Sequence, residues 1–211
     1  MSDFRAELRS VAAGSLPHTD PVVACQLMLD SLDIPTWPQL PRRSFLENMY
    51  AQFSERFPGV VIADERISVD RDGDLDLGLE QLYFSYLTDD LSFASIGPDY
   101  AAGLHHFLSL DLGGPPVVKG QVTGPISWGL MVADQDRKPI LYDEVLAEVI
   151  GSHLRLKASW MEQELRKLSP ETIVLVDEPY MSSFGSAFVQ VSAEQVHSLM
   201  EEVLAGIEGV K

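Results

Sequence analysis

VVKGQVTGPIS at residues 117–127 and ETIVLVDEP at residues 171–179 decide the fold. Each starts as a short β-branched run and ends in small, acidic or proline residues, where a chain leaves a strand. VAAGSLPHTDP at residues 11–21 has the same design: apolar residues, then Gly14-Ser15, then a proline-bounded turn. The polar groups of all three thus fall at the carboxyl ends of strands, where α/β barrels and open α/β sheets bind their ligands.

Working outward, Asp20 is an N-cap with Pro21 at the first helical position, and the helix runs to about Leu32. The proline-rich IPTWPQLP places a short strand at Trp37–Leu40, followed by a helix from Ser44 to about Phe57. Residues 59–70 alternate as a strand pair. DRDGDLDLG after them lacks the glycine and glutamate positions of a calcium loop and reads as a solvated turn. Helices are expected over 79–91 and 97–109. The second carries His105 and His106, which point about 100° apart and cannot share a metal; one is expected buried and the other exposed. Strand 117–122, a short helix after Pro125, a long helix over 141–168 and strand 172–176 follow. The long helix shows Val145, Val149, His153, Leu156 and Trp160 near helical spacing. Ser192 and Gln195 form a capping box, and Val196, Leu199, Met200, Val203, Leu204 and Ile207 make an apolar stripe.

Strands alternating with helices imply an α/β architecture with parallel strands. About four β-α units, with an insertion between the second and third strands, amount to the N-terminal half of a (β/α)8 TIM-type barrel. At GIEGVK a helix has just closed and a fifth strand would begin, so residues 1–211 read as one domain cut before that strand.

Composition excludes several functions. The formal charge of −17, with 32 acids against 15 bases and no Lys/Arg run, argues against nucleic acid and anionic membranes as partners. No apolar stretch approaches the roughly 18 residues that span a bilayer, and MSDFRAELRS has no apolar signal region. The single cysteine, Cys25 in VVACQLML, excludes an intramolecular disulfide and fits a reducing cytoplasm; it reads as a core residue.

The set GSLPHT, KGQVTGPIS and VLVDEP, in this order, resembles the catalytic barrel of cobalamin-independent methionine synthase, within the uroporphyrinogen-decarboxylase-like superfamily. The resemblance spans nearly the whole chain but only the first half of that barrel. It implies transfer of a methyl group to the thiolate of homocysteine or a related small-molecule thiol. It also implies that Gly14 and Ser15 contact the amino-acid portion and that Asp177 takes the ammonium. Glu178, Thr123 and His18 are further candidates for the same pocket, and no catalytic residue is assigned. The family's zinc ligands begin with a His-x-Cys pair on the fifth strand, which these residues lack, so zinc belongs to the complete barrel and no metal ligand is named here. The methyl donor stays open between a folate and a corrinoid. A decarboxylase acting on a porphyrinogen, with Arg42 and Arg43 after the second strand, is one alternative. A non-catalytic half-barrel that binds or assembles is the other. An open half-barrel would expose an inner face expected to carry Val118, Val122, Val174 and Val176. It would hide that face in a homodimer or against the missing half.

Overall fold

The computed structural model describes residues 5, 7–186 and 189–211; part of the N-terminal reading above rests on residues 1–4 and 6, outside that set. The fold is mixed α/β. Helix α1 (Pro21–Ser31) starts where expected: Asp20 accepts from the Val22 and Val23 amides, and Pro21 opens the first turn. Its inner face buries Ala24, Cys25 and Met28.

The helix expected over 44–57 is instead broken. Ser44 accepts from the Leu46 amide and caps a single 3-10 turn, and Asn48 accepts from the Tyr50 amide and starts the four-residue α2 (Met49–Gln52). Short polar side chains that bond their own backbone compete with helix propagation, and here they win twice in five residues.

The strand pair is present as β1 (Val60–Ala63) and β2 (Arg66–Val69), antiparallel, turning through Asp64 and Glu65. Asp70–Gly73 form a turn, and α3 (Leu75–Thr88) follows directly, starting earlier than the spacing suggests. In α4 (Ala102–Leu108) both histidines are half-buried, so one is not buried with the other exposed. His105 Nε2 is 2.7 Å from the Ile96 carbonyl.

β3 (Val117–Thr123) and β5 (Glu171–Asp177) pair in parallel, from Val117 opposite Glu171 to Thr123 opposite Asp177. Between them lie α5 (Pro125–Met131), β4 (Ala133–Asp134) and the 22-residue α6 (Glu144–Leu165). The short β4, unexpected from the sequence, adds to β2. Single parallel bridges extend the β3–β5 pair on both sides: Ser15 with Gln39, Thr36 with Lys119, and Ile173 with Val210. Five segments thus lie side by side in chain order, near residues 15, 36–39, 117–123, 171–177 and 210. The second is held by bridges and not by a full strand, because Pro35, Pro38 and Pro41 interrupt it and proline cannot donate to a ladder. Helix α7 (Ala193–Ala205) closes the described chain against α6.

The two faces of the parallel segments differ, and the assignment of the valines is corrected. Val118, Val122 and Val174 are fully buried in the apolar core on the helix side, and Val176 packs against that core. Gly120, between Val118 and Val122, lies against Leu165 and Met161 of α6. Alternation therefore puts Lys119, Gln121 and Thr123 on the opposite face of β3, with Ile173, Leu175 and Asp177 beside them on β5. On β3 that face is covered; on β5 it is open, with Leu175 40% exposed.

In α6 the stripe holds for Val149, His153, Leu156 and Trp160, but Val145, in the first turn, is 58% exposed. The 59–109 insertion packs on the helical layer, α3 against α6 and α4 against α1, and leaves Leu175 uncovered. Among the described residues no helix is long and apolar enough to cross a membrane.

Candidate functional site

Gly14 sits at φ +138°, and a Cβ there would lie 2.4 Å from Gln121 Nε2, so only glycine allows the two segments to meet. Its carbonyl accepts from the Gln39 amide at 3.0 Å, and the Leu16 amide donates to the Gln39 carbonyl at 2.9 Å. This pairing fixes Ser15 beside Gln39. The Ser15 hydroxyl donates to Gln39 Oε1 (2.8 Å), Gln39 Nε2 to Gln52 Oε1 (2.7 Å), and Gln52 Nε2 to the Tyr100 carbonyl (2.7 Å). The relay spends the Ser15 proton inward and leaves the oxygen's lone pairs for an outside donor.

Ser15, Gln39, Gln121, Thr123 and Asp177 line a narrow cleft, with Met49 and Phe53 also in its lining. Thr123 and Asp177 are opposite each other in the ladder, and the Gly124 amide donates to the Asp177 carbonyl at 2.8 Å. Thr123 is fully buried and its Oγ1 has no hydrogen-bond partner; neither has Gln121 Nε2. Buried polar atoms are nearly always paired, so two lone ones on residues of one cleft, whose free volume of about 20 Å³ holds a water-sized group, call for a small polar partner.

Lys119 lies below, buried on the same face. Its Nζ donates to the Ala13 carbonyl and to Gln121 Oε1. Burial pushes its pKa down to about 7, against the pull of Asp177. This residue carries no motif signal. Its only trace in the sequence is a lysine at an alternating position of an otherwise apolar strand.

Thus Gly14, Ser15, Thr123 and Asp177 come together, as the sequence reading places them. Glu178 faces another way. Its Oε1 accepts from the Ile126 amide at 2.7 Å, and its Oε2 accepts from the Ser127 amide at 2.8 Å and the Ser127 hydroxyl at 2.5 Å. It therefore closes the N-terminus of α5. Burial raises its pKa, opposed by those hydrogen bonds. A Cβ on Gly124 would lie 2.1 Å from Glu178 Cγ and Cδ, so glycine is what admits this cap. His18 is half-buried on the turn after Ser15, with Nδ1 buried and unpartnered; it is not among the residues lining the cleft.

Cys25 lies in the core, its Sγ 3.5 Å from the Gly103 carbonyl, and burial pushes the thiol up to about 12, far from a metal-binding thiolate. Among the described residues no three His, Cys, Asp or Glu side chains stand where they could hold a metal ion. These residues do not fit a zinc site. A larger depression of about 430 Å³ lies between Arg155, Ser159, Glu162 and Arg166. Its arginines are already paired, Arg155 with Glu202 and Arg166 with Glu162 and Glu208. Comparison with protein families, with curated proteins and with solved structures found no match.

Proposed function

We propose that this chain is the amino-acid-binding part of a methionine-synthase-like methyltransferase barrel acting on the thiolate of homocysteine or a related thiol in the cytoplasm. In that reading the first four parallel segments are the first half of the barrel, and the bridge at Val210 begins the fifth strand. The observation that carries it is the convergence of Gly14-Ser15, Thr123 and Asp177, from three separate segments, at the carboxyl ends of parallel strands. A barrel enzyme gathers its substrate contacts at that end. Asp177 receives the substrate ammonium, the Ser15 oxygen accepts a second N–H, and the open backbone at Gly14 lets the ligand approach closely. In the reaction the thiolate sulfur takes the methyl carbon as the donor–methyl bond breaks. The residues here bind and orient the amino-acid end, leaving the sulfur to point out of the cleft.

The decarboxylase alternative wants cations at the mouth for a polycarboxylate. Arg43 is instead paired with Glu47 at 2.8 Å, and neither Arg42 nor Arg43 lines the cleft.

Calorimetric titration with L-homocysteine tests the proposal. Asp177→Asn is expected to weaken binding by roughly 2–5 kcal/mol, the range for removing one partner of a desolvated charge pair, with the melting temperature nearly unmoved. A variant that melts far earlier yet binds with full affinity would make Asp177 a structural residue.

A further inference from the structure

Gln121 is only 5% exposed, and its amide is held in one sense. Oε1 accepts from Lys119 Nζ at 2.9 Å, while the same Nζ is anchored on the Ala13 carbonyl. A turned amide would set its own N–H groups against the lysine's donors. Nε2 is therefore the end that lies against Gly14, buried and without an acceptor, on a residue that lines the cleft. A buried donor left unpaired carries its full desolvation penalty until something accepts from it. Asp177, on the neighbouring strand, supplies the opposite character.

We infer that Lys119 and Gln121 form a fixed donor that requires an acceptor oxygen on the ligand, so that the cleft selects an α-amino acid over the plain amine. The ligand carboxylate sits on Gln121 Nε2 and its ammonium on Asp177. This rests on the amino-acid reading above and adds the group that recognises the carboxylate. Lys119 acts through Gln121 and is a positioning residue. A site built to hydrogen-bond a ligand group strongly rejects an analogue that lacks it, because its own polar atoms are then stranded.

The test uses the ¹⁵N-labelled full chain, with the Gln121 side-chain NH₂ pair identified by its loss in Gln121→Leu. Three probes are titrated: L-homocysteine, L-2-aminobutyrate, which keeps the head group without sulfur, and 3-aminopropanethiol, which keeps sulfur without the carboxylate. Both amino acids are expected to move the Gln121 pair, and the amine to bind at least about tenfold more weakly. Gln121→Leu brings the amino acids down toward the amine's level, so that the preference for the carboxylate is lost. Lys119→Met shifts the Gln121 pair before any ligand is added and narrows the discrimination. A Gln121 pair unmoved by both amino acids, or a wild-type chain that binds the amine as tightly, overturns the inference. Should Gln121→Leu not fold, the three probes on the wild-type chain still decide it. Failure of the amino-acid reading looks different: butyrate, a further probe that keeps the carboxylate without the ammonium, would move the Gln121 pair and bind as tightly as L-2-aminobutyrate.

Discussion

Glu178 and Asp177 are adjacent acids at one strand end with separate tasks, and single substitutions divide them. Glu178→Gln removes a carboxylate that three donors of α5 share. We expect a loss of about 1–3 kcal/mol in urea unfolding with ligand affinity retained. A normal midpoint with lost affinity would return Glu178 to the ligand. Two buried lysines give a second expectation. Burial holds both Lys119 and Lys157 near pH 7 when folded, against an ordinary value of 10.5. Between those values the unfolded chain binds more protons than the folded one, so stability rises with pH across about 7 to 10.5. Below pH 7 the full cost of burying the charges is present in both. The urea midpoint is therefore expected to be higher at pH 9.5 than at pH 6.5, and Lys157→Met is expected to flatten the rise. An unchanged slope in that variant would mean that Lys157 stays charged when folded. His153, fully buried with Nε2 2.8 Å from the Phe53 carbonyl and held down to about 3 by burial and by Lys157, acts at the acid end. The unfolded imidazole protonates first, so stability is lost as pH falls from about 6.5 toward 3.

The elements show which parts of the fold were legible in the sequence. β3, β5, α1 and α7 follow the pattern closely because each has a local signature: β-branched runs for the strands, Asp20-Pro21 and Ser192 for the caps. The interrupted segment at 44–57 was not legible. Its hydrophobic spacing suits a helix, and the decision lies in hydrogen bonds from Ser44 and Asn48 that spacing does not reveal. The inward face was misread for a related reason. Valines alternate on both strands, but alternation does not say which face points at helices; the bulk of α6 decides it. Lys119 and Gln121 stayed hidden because one lysine and one glutamine in a strand make no motif until the fold sets Gly14 against them. The box at α7 is half used: Ser192 accepts from the Gln195 amide at 3.1 Å, but the Gln195 side chain donates to the Leu141 carbonyl at 3.2 Å, not to its own cap. Ser192→Ala and Gln195→Ala are each expected to cost about 1 kcal/mol. Only the second should loosen the 140–142 turn, read as faster amide exchange there. Equal exchange in the two variants would show that Gln195 does not brace that turn.

At the scale of the whole molecule, the open side of β5 is where self-association is expected. Leu175 and its partly buried neighbour Ile173 present apolar surface on a face that the insertion does not reach. Covering such surface contributes about 25 cal/mol per Å², and the acidic exterior limits association to a closed assembly. Sedimentation at micromolar concentration is expected to give twice the 23.3 kDa chain mass. Leu175→Glu is expected to return it to a monomer with an unchanged melting transition. A wild-type monomer would mean that the β5 face tolerates water unaided.

The five parallel segments stand side by side in the order in which they are translated. A sheet of that kind grows at one border only. Every segment emerging from the ribosome finds its neighbour already delivered, and no strand must wait for a later one to be inserted between it and its partner. Two of the four pairings, the first segment to the second across α1 and the fourth to the fifth across α7, close over a single α-helix, which keeps their loop-closure costs low. The tie from Lys119 back to Ala13 can form once the third segment has been made, before α6 and the strand that carries Asp177 exist. Synthesis itself therefore schedules the groove: its donor side first, its acid later.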